Sequence, residues 1–453
     1  MPTKPKIVTI TNTSEQVLNA IRNAASVDYK NYVPIATANA ESIKAVGAVL
    51  MDYPALRNEF LNALVNRIAK VIVTSKMYDN PLAVFKRGFL EYGETVEEIF
   101  VDLLAPHEFS PETAEKEVFK REIPDVKAAF HVLNYTKFYK VTIEEQELRR
   151  AFLSVDGVTD LIAKITDKLY TSANYDEYIV TKYLLARNIL DGFFTAVSIP
   201  DWQADKKNTV VAIKATANDF KFLKPKYNPA GVYTHTPTEN MFVFLTAEFD
   251  AAMDVDVLSA AFNMEKADFI GNRMLVDSFA ELDNDRLKLL FADDPNYREI
   301  TAEESNALKT VPAILVDRDF FMFFDNLNEF TENYNGEGLY WNYFLHQWKT
   351  LSTSPFANRA IFIQGAPSIN SVTVTPAQAT AQAGQTIQFT AVVDSDFFAN
   401  KSVNWTTDNV DYPITASGVL SIPTTAVKNT VVKVTATSNY DSTKKGESTL
   451  TIN

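Results

Sequence analysis

Apolar side chains recur along this chain at two different spacings, and the changes of spacing mark its elements. Val17, Leu18 and Ile21 share one side of a short helix predicted over Ser14 to Asn23, behind a polar, Thr-rich start. The segment YVPIATAN (32–39) reads as extended, because Pro34 disfavours helical angles at Val33. From Ala55 to Val73, Leu56, Phe60, Leu61, Leu64, Val65, Ile68 and Ile72 return at helical spacing, with Pro54 suited to the first turn. Met77 to Glu108 changes character: Pro81, Gly88, Gly93 and Pro106 punctuate strand-like pieces over PLAVFKRGFLEYG and TVEEIFVDL. A two-stranded arm of this kind is marginal alone and must pack on something else.

Further on, Ser110 and Pro111 fit the cap and first turn of a short acidic helix running to Phe119. IPDVKAAFHVLNYTKFYKVTI then alternates like strand, and a helix is predicted from Ile143 to Phe152. The longest helical pattern spans Val158 to Leu190, where Val158, Leu161, Ile162, Ile165 and Leu169 form a stripe. Tyr178, Ile179, Tyr183 and Leu184 continue it after a break predicted near Ser172–Tyr175. Residues 192–310 read as a mixed α/β unit: strand TVVAIKA (209–215), polar loops at 216–240, strand MFVFLTAEFD, helix DVDVLSAAFNM, strand NRMLVDSF and an acidic loop at 281–307.

Val311 to Ile363 carries Phe320, Phe321, Phe323, Phe324, Tyr340, Trp341, Tyr343, Phe344, Trp348, Phe356 and Phe362. Each aromatic buries about 150–250 Å² when inside, so this stretch is core or interface. After Gly365–Pro367 the pattern becomes short alternating strands separated by Gly384, Pro413, Gly418 and Pro423, the signal of a β-sandwich. Its inward positions are Val372, Val374, Ile387, Phe389, Ala391, Val403, Trp405, Leu420, Ile422, Val432, Val434, Ala436, Leu450 and Ile452, with Trp405 as anchor.

Composition narrows the classes. A chain of 453 residues suggests about two to four units, and 46% hydrophobic with 22% charged residues describes a globular protein. The absence of Cys removes disulfides, thiol nucleophiles and Cys-based zinc sites, and it fits a reducing cytosol. No run of 18 or more apolar residues occurs and MPTKPKIVTITNTSEQ lacks the apolar core of a signal peptide, so the chain is expected to be soluble and not exported by that route. A net charge of −14 argues against a protein that grips nucleic acid, since phosphate contacts need clustered Lys and Arg. It suits the solubility of a concentrated protein.

Candidate chemistry is sparse. His107, His131, His235 and His346 are scattered without metal-binding spacing. Asp254/Asp256, Asp283/Asp285 and Asp293/Asp294 could in principle supply acid and base or hold a divalent metal. Yet DVDV more simply opens a helix, whose N-terminus favours acids. No phosphate-cradling loop, nucleophile elbow or zinc pattern occurs, so no catalytic residue, cofactor or metal is expected.

Several stretches carry a resemblance: VLNAIRNAAS with YVPIATAN, NPLAVFKRG with TVEEIFVD, EVFKREIPDVKAAFH, DVDVLSAAFNMEKADFIGN, VDRDFFMFFDNL, GLYWNY and SPFANRAIF. In number and order these resemble the major capsid proteins of small short-tailed, phi-twenty-nine-like bacteriophages. The resemblance implies the α+β tailed-phage capsid fold of the Hong Kong ninety-seven type with a C-terminal all-β immunoglobulin-like sandwich. On that pattern the parts would be an N-terminal arm (1–54) and a body (55–366) with an extended loop (77–108), a spine helix (155–190) and an axial domain (192–345). The sandwich would occupy 367–453, similar to the second group of bacterial immunoglobulin-like domains. Copies would self-assemble through pentamers and hexamers into an icosahedral shell around double-stranded DNA, with a scaffolding protein and a portal during assembly in the host cytoplasm. Phe85, Lys86, Arg87, Glu94, Glu97 and Glu98 become intersubunit contact candidates, and Phe389 and Trp405 the sandwich core. Two rivals remain from the residues alone: a surface adhesin working through the sandwich, and a hydrolase using the 283–294 acids.

Overall fold

A computed structural model describes residues 14–68, 80–90, 95–101, 103–104, 106, 126–153, 157–253, 272–292 and 294–453. The chain forms two compact units, one from Met1–Val96, His131–Tyr178 and Phe323–Leu351, the other from Glu97–Phe130, Ile179–Met322 and Ser352–Asn453. In chain order the strands before the last region are β1 (Lys86–Phe89), β2 (Val96–Val101), β3 (Val126–His131), β4 (Tyr135–Glu144), β5 (Thr195–Ile199), β6 (Met241–Thr246), β7 (Asn272–Val276), β8 (Ala313–Asp317), β9 (Phe321–Asn335), β10 (Tyr340–Thr353) and β11 (Arg359–Gln364).

In the first unit a sheet of order β1-β9-β10-β4 carries helices on one face. The alternation in GLYWNYFLHQW has a direct consequence: Trp341, Tyr343 and Leu345 turn inward with Ile143, while Phe344, His346 and Trp348 fall on the other face. An antiparallel ladder from Tyr340↔Glu144 to Lys349↔Tyr135 holds this register. Against the inner face pack Val17, Leu18 and Ile21 of the helix Ser14–Ala24, and Phe60 and Leu61 of Pro54–Ile68. Two further helices that the sequence pattern did not predict, Val27–Tyr32 and Ala40–Asp52, flank the YVPIATAN stretch, in which Val33 is extended as expected. The first has six residues, too few to show a period, and is declared only by its Ser26 cap. The second contains Gly47, required because a Cβ there would lie 2.5 Å from Phe152 Cβ.

The predicted break at Ser172–Tyr175 is absent, and the helix Gly157–Leu190 runs unbroken for 34 residues. Its interrupted apolar stripe has a physical reason: Asp176 and Glu177 sit buried on the inward side and are satisfied by polar partners. The strand expected over PLAVFKRGFLEYG is instead a 3-10 turn, Pro81–Phe85, capped by Asn80, followed by the short β1, which runs parallel to β9.

The second unit is built on a sheet of order β5-β11-β8-β6-β7, with β5–β11 and β6–β7 parallel and β8 antiparallel to both neighbours. AILVD and RAIFIQ are nearly continuous apolar runs because both strands are central. TVVAIKA is helix, contrary to the strand expectation: Lys206–Phe220 begins at the Asp205 cap and buries Val210, Ile213, Ala217 and Phe220 at helical spacing. The loop predicted at 281–307 contains two helices, Asn284–Leu290 capped by Asp283 and Ala302–Lys309 opened by a Thr301/Glu304 capping box. Their acids are N-terminal helix signals, which density of charge disguised as loop. The helices predicted at 111–119 and 254–264, and Glu94, lie outside the described residues.

The last region supplies β12 (Ile369–Thr375), β13 (Gln378–Ala381), β14 (Thr386–Gln388), β15 (Thr390–Ser395), β16 (Val403–Thr407), β17 (Val419–Ser421), β18 (Val431–Ser438) and β19 (Lys445–Ile452). A sheet of order β13-β19-β18-β16 faces the β12-β15 and β14-β17 pairs across one apolar core.

Candidate assembly surfaces

The candidate residues at the start of the expected loop divide by where their side chains go. Phe85 is buried in its own chain, closing the 3-10 turn. Lys86 turns back to Glu177 Oε2 at 2.8 Å and Asp325 Oδ2 at 3.4 Å. Around Glu177 a buried polar cluster forms: Asn80 Nδ2 donates to Oε1 at 2.8 Å and Lys349 Nζ donates to Oε2. Burial alone would push the Glu177 carboxyl up, but Lys349 and Lys86 outweigh it and hold the group below its usual range. Burial, reinforced by the like charge of Lys86, brings the Lys349 ammonium down. No sequence spacing announces this cluster, since Asn80 and Lys349 stand 97 and 172 positions from Glu177. Arg87 and Phe89, one and three residues past Lys86, are exposed.

Strands β2 and β3 pair with each other and present two unlike faces. On the inner one, Phe100 stacks on Phe356 with centroids 5.6 Å apart, Ser354 Oγ donates to Glu98 at 2.8 Å, and Lys127 Nζ donates to the Ala230 carbonyl at 2.9 Å. The outer face offers Glu97, Ile99 and Val101 from β2 and Val126 and Phe130 from β3, with Phe130 64% exposed. Past β2, Leu103 and Leu104 are exposed as well.

A second exposed face lies on the first unit's sheet. Phe138, Phe344 and His346 cluster there with centroid separations of 5.7–6.2 Å, and Lys140 lies 5.7 Å above the Phe344 ring. Thr331 Oγ1 is 3.4 Å from His346 Nε2. His131 is buried and His235 exposed, while His107 is outside the described residues. Among the described residues no group of three or more His, Cys, Asp or Glu side chains is placed to hold a metal. Asp283 is engaged as a helix cap and Asp294 accepts from Asn296 N, so these acids serve local structure; Asp293 is outside the described residues.

In the last region Phe389 is fully buried and Trp405 nearly so, within the core formed by Val372, Leu420, Val432, Val434 and Leu450. Gly418, at φ +84°, passes so close that a Cβ would meet the Phe389 carbonyl at 2.4 Å and the Trp405 ring at 3.1 Å. Only glycine combines that backbone with that approach.

Known proteins share this chain's sequence and fold. The sequence model of the family described as Phi29-like phage major capsid protein matches residues 18–363. The chain is 37% identical over 431 residues to the major capsid protein of Bacillus phage B103, covering 93% of this chain and 90% of that protein. It is 35% identical to that of Bacillus phage GA-1, covering 88% and 80%, and 29% identical to that of Streptococcus phage Cp-1, covering 76% and 92%. Among solved structures, the capsid of Staphylococcus phage Andhra aligns with a TM-score of 0.50 at 15% identity over 65% of this chain and 87% of that one. A chain from the head fiber and inner core protein structure of bacteriophage P68 aligns equally well at 13% identity, with the same coverage. At such identities the likeness is one of fold.

Proposed function

The chain belongs to the Phi29-like phage major capsid protein family, and on that premise we propose how its surfaces serve the shell. It is a structural protein, and copies of it form the phage capsid. The adhesin reading gains nothing from these relatives, which are major capsid proteins that match this chain over most of their length.

The outer face of β2 and β3 is the lateral contact, covered in the shell by a neighbouring copy. The observation that carries this reading is the contrast between its two faces: Phe100, Glu98 and Lys127 fasten the inner one, while Ile99, Val101, Val126 and Phe130 stay bare. A firmly seated apolar ledge is prepaid in conformational entropy, so a partner that covers it gains about 1.5–3 kcal/mol per large side chain. Repeated around a closed shell, such modest contacts suffice. Arg87, Glu94 and Glu97 remain as intersubunit ion-pair members, whereas Phe85, Lys86 and Glu98 act by fixing the base of the loop within their own chain.

In this reading the axial domain gathers into pentamers and hexamers, with the 77–108 loop and the N-terminal arm locking them sideways. A scaffolding protein and a portal guide assembly in the host cytoplasm, and the acidic shell encloses double-stranded DNA without gripping it. The family match ends at residue 363, one residue short of the end of β11. This supports an immunoglobulin-like sandwich at 367–453 as an appendage, not a part of the shell lattice. Catalysis has no place in the proposal.

Co-expression with the scaffolding protein, followed by sedimentation, tests the assignment. Deleting residues 77–108 should leave only slowly sedimenting species, and fast closed particles from the deletion would refute it.

A further inference from the structure

We propose that the β12–β19 region is seated on the C-terminal end of the helix Gly157–Leu190 and held there in one orientation, with Gly192 as the seat. The end of that helix and the whole of the last region belong to the same compact unit. The helix stops in a left-handed turn: Gly192 has φ +76°, and the Phe193 N–H reaches back to the Asn188 carbonyl at 3.0 Å. The bare Cα of Gly192 meets the last region so closely that a Cβ would overlap the Ala399 carbonyl and lie 2.8 Å from Asn400 N. Glycine here answers two demands at once, the positive φ and the approach of a distant piece of backbone.

The opposing surface is rigid. Residues 397–400 lie in the connection from β15 to β16, where Phe398 takes φ +73° while only 7% exposed, and Ala399 is fully buried. A bulky residue in that conformation is strained, and such strain persists only where the surroundings hold it. The connection is braced from behind: Asn400 Oδ1 accepts the Ser402 N–H at 2.8 Å, and Asn439 donates from N to the Ser402 carbonyl at 3.0 Å and from Nδ2 to Ser402 Oγ at 2.8 Å. Beside the contact runs a cleft of about 300 Å³, with Phe193, Lys226 and Asn228 on one side and Asn400, Asn439 and Tyr440 on the other. The two surfaces therefore face each other across more than one loop.

A second attachment fixes the direction. Residues 365–368 join β11 to β12, and Ser368 Oγ donates to Asp396 Oδ2 at 2.6 Å while Asp396 N donates to the Ser368 carbonyl at 3.0 Å. Asp396 immediately precedes the 397–400 stretch, so the covalent link and the seated turn are tied together. Motion about the linker is the ordinary expectation for a joined domain. A short linker bonded to a turn that rests on Gly192 removes that freedom, and every copy in a shell would present the same surface of β12–β19 in the same direction. The seat lies within one chain and stands whether or not the lateral contact proposed above is right.

The chain has no Cys, so two labels can be placed cleanly. Val211, exposed on the helix Lys206–Phe220, and Val431, exposed on β18, are each changed to Cys in the full-length chain and spin-labelled, and pulsed electron paramagnetic resonance reads the distance between them. One narrow distance distribution is expected, and adding Gly192→Ala should broaden it. Gly231→Ala is the control: Gly231 also has a positive φ, +64°, but nothing lies within 4 Å of a Cβ there, so the distribution should stay narrow. A broad distribution with Gly192 intact would overturn the proposal, as would a narrow one that survives Gly192→Ala or equal broadening in both variants. The labelled chain with its native glycines decides even where Gly192→Ala fails to fold.

Discussion

Arg187 and Glu304 meet as a two-pronged ion pair, Nη1 to Oε1 at 2.8 Å and Nη2 to Oε2 at 3.0 Å. The same carboxylate accepts the Thr301 N–H at 2.8 Å, closing the capping box of Ala302–Lys309. One side chain thus fixes the start of a short helix and pins it to the end of the long one. Burial alone would push the Glu304 carboxyl up, but the Arg187 and Thr301 hydrogen bonds hold it down.

Removing Glu304 should therefore cost more than removing a cap. Glu304→Ala is expected to lower unfolding stability by about 2–4 kcal/mol, because Arg187 keeps its burial and loses its counter-charge. Thr301→Ala, which leaves the ion pair, should cost about 1 kcal/mol. Denaturant titration of the unassembled chain separates the two, and equal losses would contradict the account.

Acid should weaken the first unit through Glu177. Its folded pKa lies below the ordinary 4.5, so its contribution is complete above that value and is lost as pH falls through the folded pKa. A tenfold difference in proton affinity between the folded and unfolded chain corresponds to about 1.4 kcal/mol. Unfolding midpoints measured between neutral pH and about pH 3 should fall below the carboxylate range in the wild type and more gently in Glu177→Gln. A Glu177→Gln variant with the same acid slope would contradict this role.

The sandwich core should be sensitive and local. Phe389→Ala or Trp405→Ala removes a buried aromatic and is expected to cost about 3–5 kcal/mol. Gly418→Ala should destabilise as well, through its positive φ and the Phe389 carbonyl in its way. If 367–453 is an appendage, calorimetry should show one transition lowered and the rest of the profile unmoved.

Alternation was the most legible signal. β4 and the strands after Ile369 read directly from their period of two, as did the helix Ser14–Ala24 from its stripe, whereas the alternation in Tyr340–Thr353 was legible only as a run of buried aromatics. Misreadings arose where a local signal imitated another. The β-branched run Thr209–Val211 hid a helix whose Asp205 cap lies four residues earlier, and the acids of 281–307 were caps and not loop. The long helix looked broken because Asp176 and Glu177 interrupt its stripe, and their partners come from distant strands and turns. Among the surface candidates, exposed Arg87 and inward-turned Lys86 are adjacent in sequence, and only the fold around Glu177 separates them.

Negative-stain electron microscopy of the chain co-expressed with its scaffolding protein tests the central claim most directly, using wild type beside the Ile99→Asp, Phe130→Asp double variant. Both positions are exposed, so the isolated variant should melt as the wild type does, within about 0.5 kcal/mol per site. The account predicts uniform closed shells from the wild type and none from the variant. Normal shells from a variant carrying both aspartates would contradict it.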